Sequence, residues 1–241
     1  MSMNAWAGLV VALALVPACV VRSRARVPVY AASGSLTVTV NAWARISKPS
    51  GAIAVASRGP ADVPQQMRVI NREAMPQSEP VDLVYVVDTT ASMGDDIGAA
   101  RNQMRTILGD LTRKNPDRRV GIVAYRDRGD AYVAMVVLPL DFDERQILSG
   151  IDALRVDGGG DLREHVYAGL HTALHQQPWR PGATHHIVVL GDAPPHEDYG
   201  DDPRNFDNVM ADAARLKVKI HTISAYCDKD CQAALAEDGR R

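Results

Sequence analysis

Val81-Asp82-Leu83-Val84-Tyr85-Val86-Val87-Asp88-Thr89-Thr90-Ala91-Ser92 is the stretch that decides the fold. Its first seven residues are almost all apolar, with β-branched and aromatic side chains on both faces. This is the pattern of a central parallel strand covered above and below. Ile97, Ala100, Met104, Ile107, Leu108 and Leu111 then recur at helical spacing until Asn115-Pro116 stops the run. The stretch therefore opens a strand-to-helix unit.

Downstream the alternation continues. Strands are predicted at Val120–Tyr125, Tyr132–Leu138, His186–Leu190 and Val218–Ile223, and helices near 144–154, 162–176 and 206–216. Only Asp127-Arg128-Gly129-Asp130 joins the second and third of these strands, too short for a crossover, so that pair is antiparallel. The expected architecture is α/β, a doubly wound and mostly parallel sheet with one antiparallel edge strand. Upstream, Leu36, Val38, Val40 and Ala42 alternate with polar residues, and Gly51–Ser57 and Gln66–Asn71 are further strand candidates among prolines 60, 64, 76 and 80. A short β-rich segment and linker over 31–79 is expected before the main domain at 80–241. After Ile223 little chain remains, which predicts a C-terminally incomplete domain with an exposed sheet edge.

Ala5–Val21 carries no charge and forms, within residues 1–30, a signal, lipoprotein or membrane-anchor segment. Leu15-Val16-Pro17-Ala18-Cys19 resembles a lipobox with Cys19 as the lipidated residue; a plain secretory signal and an uncleaved anchor are the alternatives, and Arg22, Arg24 and Arg26 favour keeping the downstream side cytoplasmic. These readings place the chain at the cell envelope, membrane-anchored or secreted; a soluble buried helix is the remaining alternative and does not. Cys227 and Cys231 could pair there as a disulfide, and two ordinary thiols are the alternative. The 27 basic and 29 acidic side chains give a net charge of −2, with no basic footprint for nucleic acid.

Ligands of doubly wound sheets collect at the carboxyl ends of the strands. Three loops there carry oxygen donors: Asp88-Thr89-Thr90-Ala91-Ser92, Gly158-Gly159-Gly160-Asp161 and Gly191-Asp192. Hard oxygens at such spacing suit Mg²⁺. Each residue also has a plainer reading, because Asp, Thr and Ser after a strand often cap the next helix, and Asp161 could cap one beginning at Leu162. His171 and His175 lie one turn apart, yet they flank the apolar face of their helix rather than forming a zinc pair.

At these residues the chain resembles the von Willebrand factor type A (vWA) family, over about 81–235. The family's metal-ion-dependent adhesion site (MIDAS) uses an Asp-x-Ser/Thr-x-Ser loop, which Asp88, Thr90 and Ser92 match, and an Asp after a later strand, which Asp192 fits. Asp161 stands where the family has Thr. Val123–Asp127, Gly158–Asp161 and Asp192–His196 also resemble a vWA subgroup found in atypical kinases and in uncharacterised bacterial proteins. The resemblance implies a Rossmann-like vWA fold, a Mg²⁺ site (Mn²⁺ or Ca²⁺ being alternatives) and a protein ligand whose acidic group completes the metal's coordination. It implies a binding module rather than an enzyme. The competing class is a Mg²⁺-dependent hydrolase or phosphotransferase, but no Gly-x-Ser-x-Gly elbow or Gly-Lys-Ser/Thr loop is present. A third carboxylate, Asp161, predicts tighter metal binding and weaker capture of a partner's carboxylate.

Overall fold

The computed structural model describes residues 36–159, 163–197 and 200–227. Six strands form one sheet: β1 (Ala54–Ala56), β2 (Val81–Asp88), β3 (Arg118–Tyr125), β4 (Ala134–Asp141), β5 (Thr184–Gly191) and β6 (Val218–Ser224). They lie in the order β1-β6-β5-β2-β3-β4. Only β3 and β4 run antiparallel, with Tyr125 opposite Ala134, so the expected antiparallel edge strand is observed. All eight residues of β2 are buried, as a strand with a layer of helices on each face requires.

One layer consists of α2 (Val63–Ala74), α3 (Gly94–Lys114) and α4 (Glu144–Ala153), whose Met67, Ile70, Met104, Ile107 and Ile147 meet Leu83, Tyr85 and Ile122. The other consists of α1 (Leu36–Ser47), α5 (Val166–Gln176) and α6 (Phe206–Arg215), whose Trp43, Ile46, Leu170 and Val209 meet Val84, Val86 and Ile187. The period-2 strand β2 splits its side chains between the two layers.

The upstream segment corrects two expectations. It is not β-rich: Leu36–Ser47 is helical, and only Ala54–Ala56 is strand. The Val/Thr alternation suits a strand, but Trp43, Ile46 and Ser47 fall at i, i+3 and i+4, and all three are buried against the sheet. Burial of such side chains, about 1.5–3 kcal/mol each, outweighs the few tenths that β-branched residues cost a helix. Gln66–Asn71 likewise lies inside α2, where Pro64 occupies the first turn and needs no amide partner, so it starts a helix rather than marking a linker.

The segment is also not separate from the main domain. β1 pairs parallel with β6, Val55 opposite Ile223. The edge expected to be exposed after Ile223 is therefore covered by residues upstream of β2.

Candidate functional site

β2, β3 and β5 end side by side, and the chain leaves each with a polar loop. Asp88, the last residue of β2, is fully buried. Its Oδ1 accepts from the Thr90 amide at 2.9 Å and from the Thr90 hydroxyl at 2.7 Å. Thr90 Oγ1 lies 3.3 Å from Ser92 Oγ, and Asp192, the residue after β5, is near enough to act electrostatically on Asp88 and to be acted on by the Ser92 hydroxyl. Four of the five expected ligands, Asp88, Thr90, Ser92 and Asp192, are thus gathered at one place.

The plain capping alternative does not describe these residues. α3 begins after Met93, and no side chain caps its N-terminus. Asp161 lies outside the described residues. α5 starts at Val166 rather than 162, and His165 is its cap, accepting from the Ala168 amide. Cys227 is buried and disulfide-bonded; Cys231 and Cys19 lie outside the described residues. His175 pairs with Asp212 at 2.8 Å on the surface of α5, its ring 4.3 Å from that of His171.

The surrounding loops are tied to the site by backbone bonds. Asp157 donates to the Thr89 carbonyl at 3.1 Å and Ala91 to that of Gly158 at 3.4 Å, which fixes the glycine loop beside the first one. Gly158 and Gly159 hold left-handed φ values of 75° and 83°. A Cβ on Gly159 would lie 3.2 Å from Thr90 Cβ, so the bare backbone is what allows this approach. Glu164 bridges Pro195, joining the second and third loops.

The site is electrostatically strained. Burial and then the neighbouring Asp192 charge push the Asp88 carboxyl up, and burial pushes Asp192 up as well. Asp96, in the first turn of α3, is buried and pushed up to about 7 by burial and then by Asp192 and Asp95. Asp88 Oδ2 and Asp96 Oδ1 are buried without a hydrogen-bond partner. An orphaned buried acceptor costs about 1–3 kcal/mol, more when charged. Against this stands the buried Arg126, whose guanidinium donates to the Arg155 carbonyl at 2.8 Å and lies 4.6 Å from the Tyr132 ring centre.

Asp96, Arg126, Glu164 and Tyr125 were not among the expected site residues. Tyr125 and Arg126 follow the same strand-end rule as Asp88, but their types suggested core and surface. Asp96 was hidden because an acidic residue in a helix's first turn is explained by the helix dipole alone.

The donor chemistry fits a hard divalent cation: buried anionic oxygens in mutual repulsion, two hydroxyls beside them and an acceptor with no donor. Among the described residues no group of three or more His, Cys, Asp or Glu side chains is placed to hold a metal ion, so such a site would rest on two carboxylates and two hydroxyls.

A model of the von Willebrand factor A domain matches residues 82–236. An alpha-protein kinase, vwkA, of Dictyostelium discoideum is 25% identical over 162 residues, covering 62% of this chain; the chain spans 26% of that kinase's length. Among solved structures, the pilus adhesin SpaC of Lactobacillus rhamnosus GG is similar over 68% of this chain and 30% of its own, at 15% identity and a TM-score of 0.45. The VWA domain of SpRpn10 is similar over 66% of this chain and 95% of its own, at 16% identity and a TM-score of 0.42.

Proposed function

We propose, from the premise that this chain belongs to the von Willebrand factor A domain family, that it is a protein-binding module whose partner is engaged through a divalent cation. Asp88, Thr90, Ser92 and Asp192 would hold the ion, Mg²⁺ or alternatively Mn²⁺ or Ca²⁺, with Asp161 as a further candidate. The observation that carries this is the buried Asp88 carboxylate, with one oxygen satisfied by Thr90 and the other left without a donor. Bound metal would supply a Lewis-acidic position for an acidic group of a protein partner. The buried acidic side chains Asp88, Asp96, Glu164 and Asp192 outnumber Arg126, which favours tight cation binding and moderates attraction for a partner's carboxylate.

No catalytic step is assigned to these residues. The N-terminal apolar segment supports a place at the cell envelope, as signal, lipoprotein or anchor. Among the described residues no helix is long and apolar enough to cross a membrane.

Calorimetric titration of the full chain with Mg²⁺ and Mn²⁺ beside Asp88→Ala tests the reading. Binding by the wild type that Asp88→Ala abolishes supports it; an absence of heat with either ion in the wild type overturns it. Asp161→Thr addresses the extra carboxylate: weaker metal binding is expected, and unchanged or tighter binding removes Asp161 from the ligand set.

A further inference from the structure

Tyr125 is fully buried at the end of β3, beside Asp88 in the register of the sheet. Paired residues of neighbouring parallel strands project to the same face, so ring and carboxylate lie together. The ring packs across the strand ends: its hydroxyl occupies the space that a Cβ on Gly191 would fill, one residue before Asp192. The Trp43 indole closes on the same glycine, 3.1 Å from that Cβ position. Gly169 of α5 gives room on the other side, since a Cβ there would meet Tyr125 Cβ at 3.0 Å and Val86 at 2.9 Å. Three strand ends and a helix are thus shaped around one phenol.

The hydroxyl at the tip of that ring is buried without a hydrogen-bond partner, and so is Asp88 Oδ2. A phenol is uncharged at neutral pH, so its hydroxyl can orient a carboxylate without adding a charge that would oppose a cation.

We propose that Tyr125 is a positioning residue of the cation site, its hydroxyl donating to the Asp88 carboxylate and fixing the plane in which Asp88 is presented beside Thr90 and Ser92. The proposal rests on the metal-site reading given above. Outer partners of metal-binding carboxylates typically change affinity by about 10- to 100-fold when removed.

Tyr125→Phe keeps the ring that packs on Gly169 and Val86 and removes only the hydroxyl. In the full chain, Mn²⁺ affinity measured by electron paramagnetic resonance is expected to fall about 10- to 100-fold in Tyr125→Phe, in a variant that still folds cooperatively without metal. Mg²⁺ is expected to give a tyrosine ultraviolet difference signal in the wild type that this variant lacks. Tyr167→Phe, a buried tyrosine of α5, should leave both readouts as in the wild type. Wild-type Mn²⁺ affinity in Tyr125→Phe, or a retained difference signal, overturns the positioning role while leaving the metal site standing. No Mn²⁺ binding in the wild type overturns both.

Discussion

Asp82 and Asp88 sit on the same strand, and neither side chain reaches solvent, yet the protein treats them in opposite ways. At the start of β2, Asp82 accepts from Arg119 Nε and Nη2 at 3.0 and 2.7 Å, and from the amide and Nε of Arg180 at 2.7 and 2.9 Å. These bonds outweigh burial and hold its carboxyl below the usual range. At the end of β2, Asp88 accepts from Thr90 through one oxygen, and burial, then the charge of Asp192, pushes its carboxyl up. A buried carboxylate that is fully partnered serves the fold. One that is left short of donors costs stability, and that deficit suits a ligand.

The contrast can be broken most directly at Asp82. Asp82→Ala should cost about 3–5 kcal/mol in chemical denaturation, because it strands two guanidinium groups at a partly buried site. Mn²⁺ affinity of the folded fraction should not change. A loss below about 1 kcal/mol would remove Asp82 as the stabilising member of the pair.

Asp88→Asn tests the other end. Without metal it should be at least as stable as the wild type, since it removes a charge repelling Asp192. With Mg²⁺ at about 100 times the dissociation constant, the wild type should gain about 2.7 kcal/mol and the variant nothing. Equal metal-induced shifts in melting temperature would contradict this.

Acid separates the same two ends from a third element. Ile53 donates to His221 Nδ1 at 3.1 Å, so His221 carries its proton on Nε2 and donates to His186 Nδ1, also at 3.1 Å. Burial, then the neighbouring charges of His186 and Lys219, lowers His221 to about 3. Burial, then Lys219 and His185, lowers His186 to about 4. The unfolded chain takes up these protons near pH 6.5 and the native state does not, so the contribution of this pair to stability falls as pH drops from 6.5 toward 4, while the raised Asp88 and Asp96 carboxyls act in the opposite direction over the same range. The loss is on the order of 3 kcal/mol for one imidazole. Asp82 works in a lower window, its contribution persisting until pH falls through its depressed value. His221→Gln should gain stability relative to the wild type as pH falls from 6.5 to 4 while leaving the decline below pH 4. A profile unchanged by His221→Gln would show that the pair does not set acid stability.

The smallest effect is expected at Glu197, paired with Arg45 at 2.7 Å with both side chains about half exposed. Glu197→Gln should change stability by less than about 1 kcal/mol. A larger loss would show that pairing alone, rather than pairing under burial, gives Asp82 its weight.

The apolar run Val81–Val87, the helical spacing from Ile97 to Leu111 and the short Asp127–Asp130 connection determined the doubly wound sheet and its antiparallel edge. They could do so because burial imposes a period that a single chain displays. Strand-end placement likewise made Asp88, Thr90, Ser92 and Asp192 legible as one set. The tertiary structure alone decided that Leu36–Ser47 is a helix, since Trp43 and Ile46 need β5 and β6 to bury against. It alone placed β1 beside β6, a pairing between residues more than 160 positions apart that no local pattern encodes. The burial of Asp96, Arg126 and Tyr125 beside the strand ends emerged the same way. A carboxylate, a guanidinium and a phenol acquire their chemistry from burial and from neighbours, and both are set by how distant strands end together.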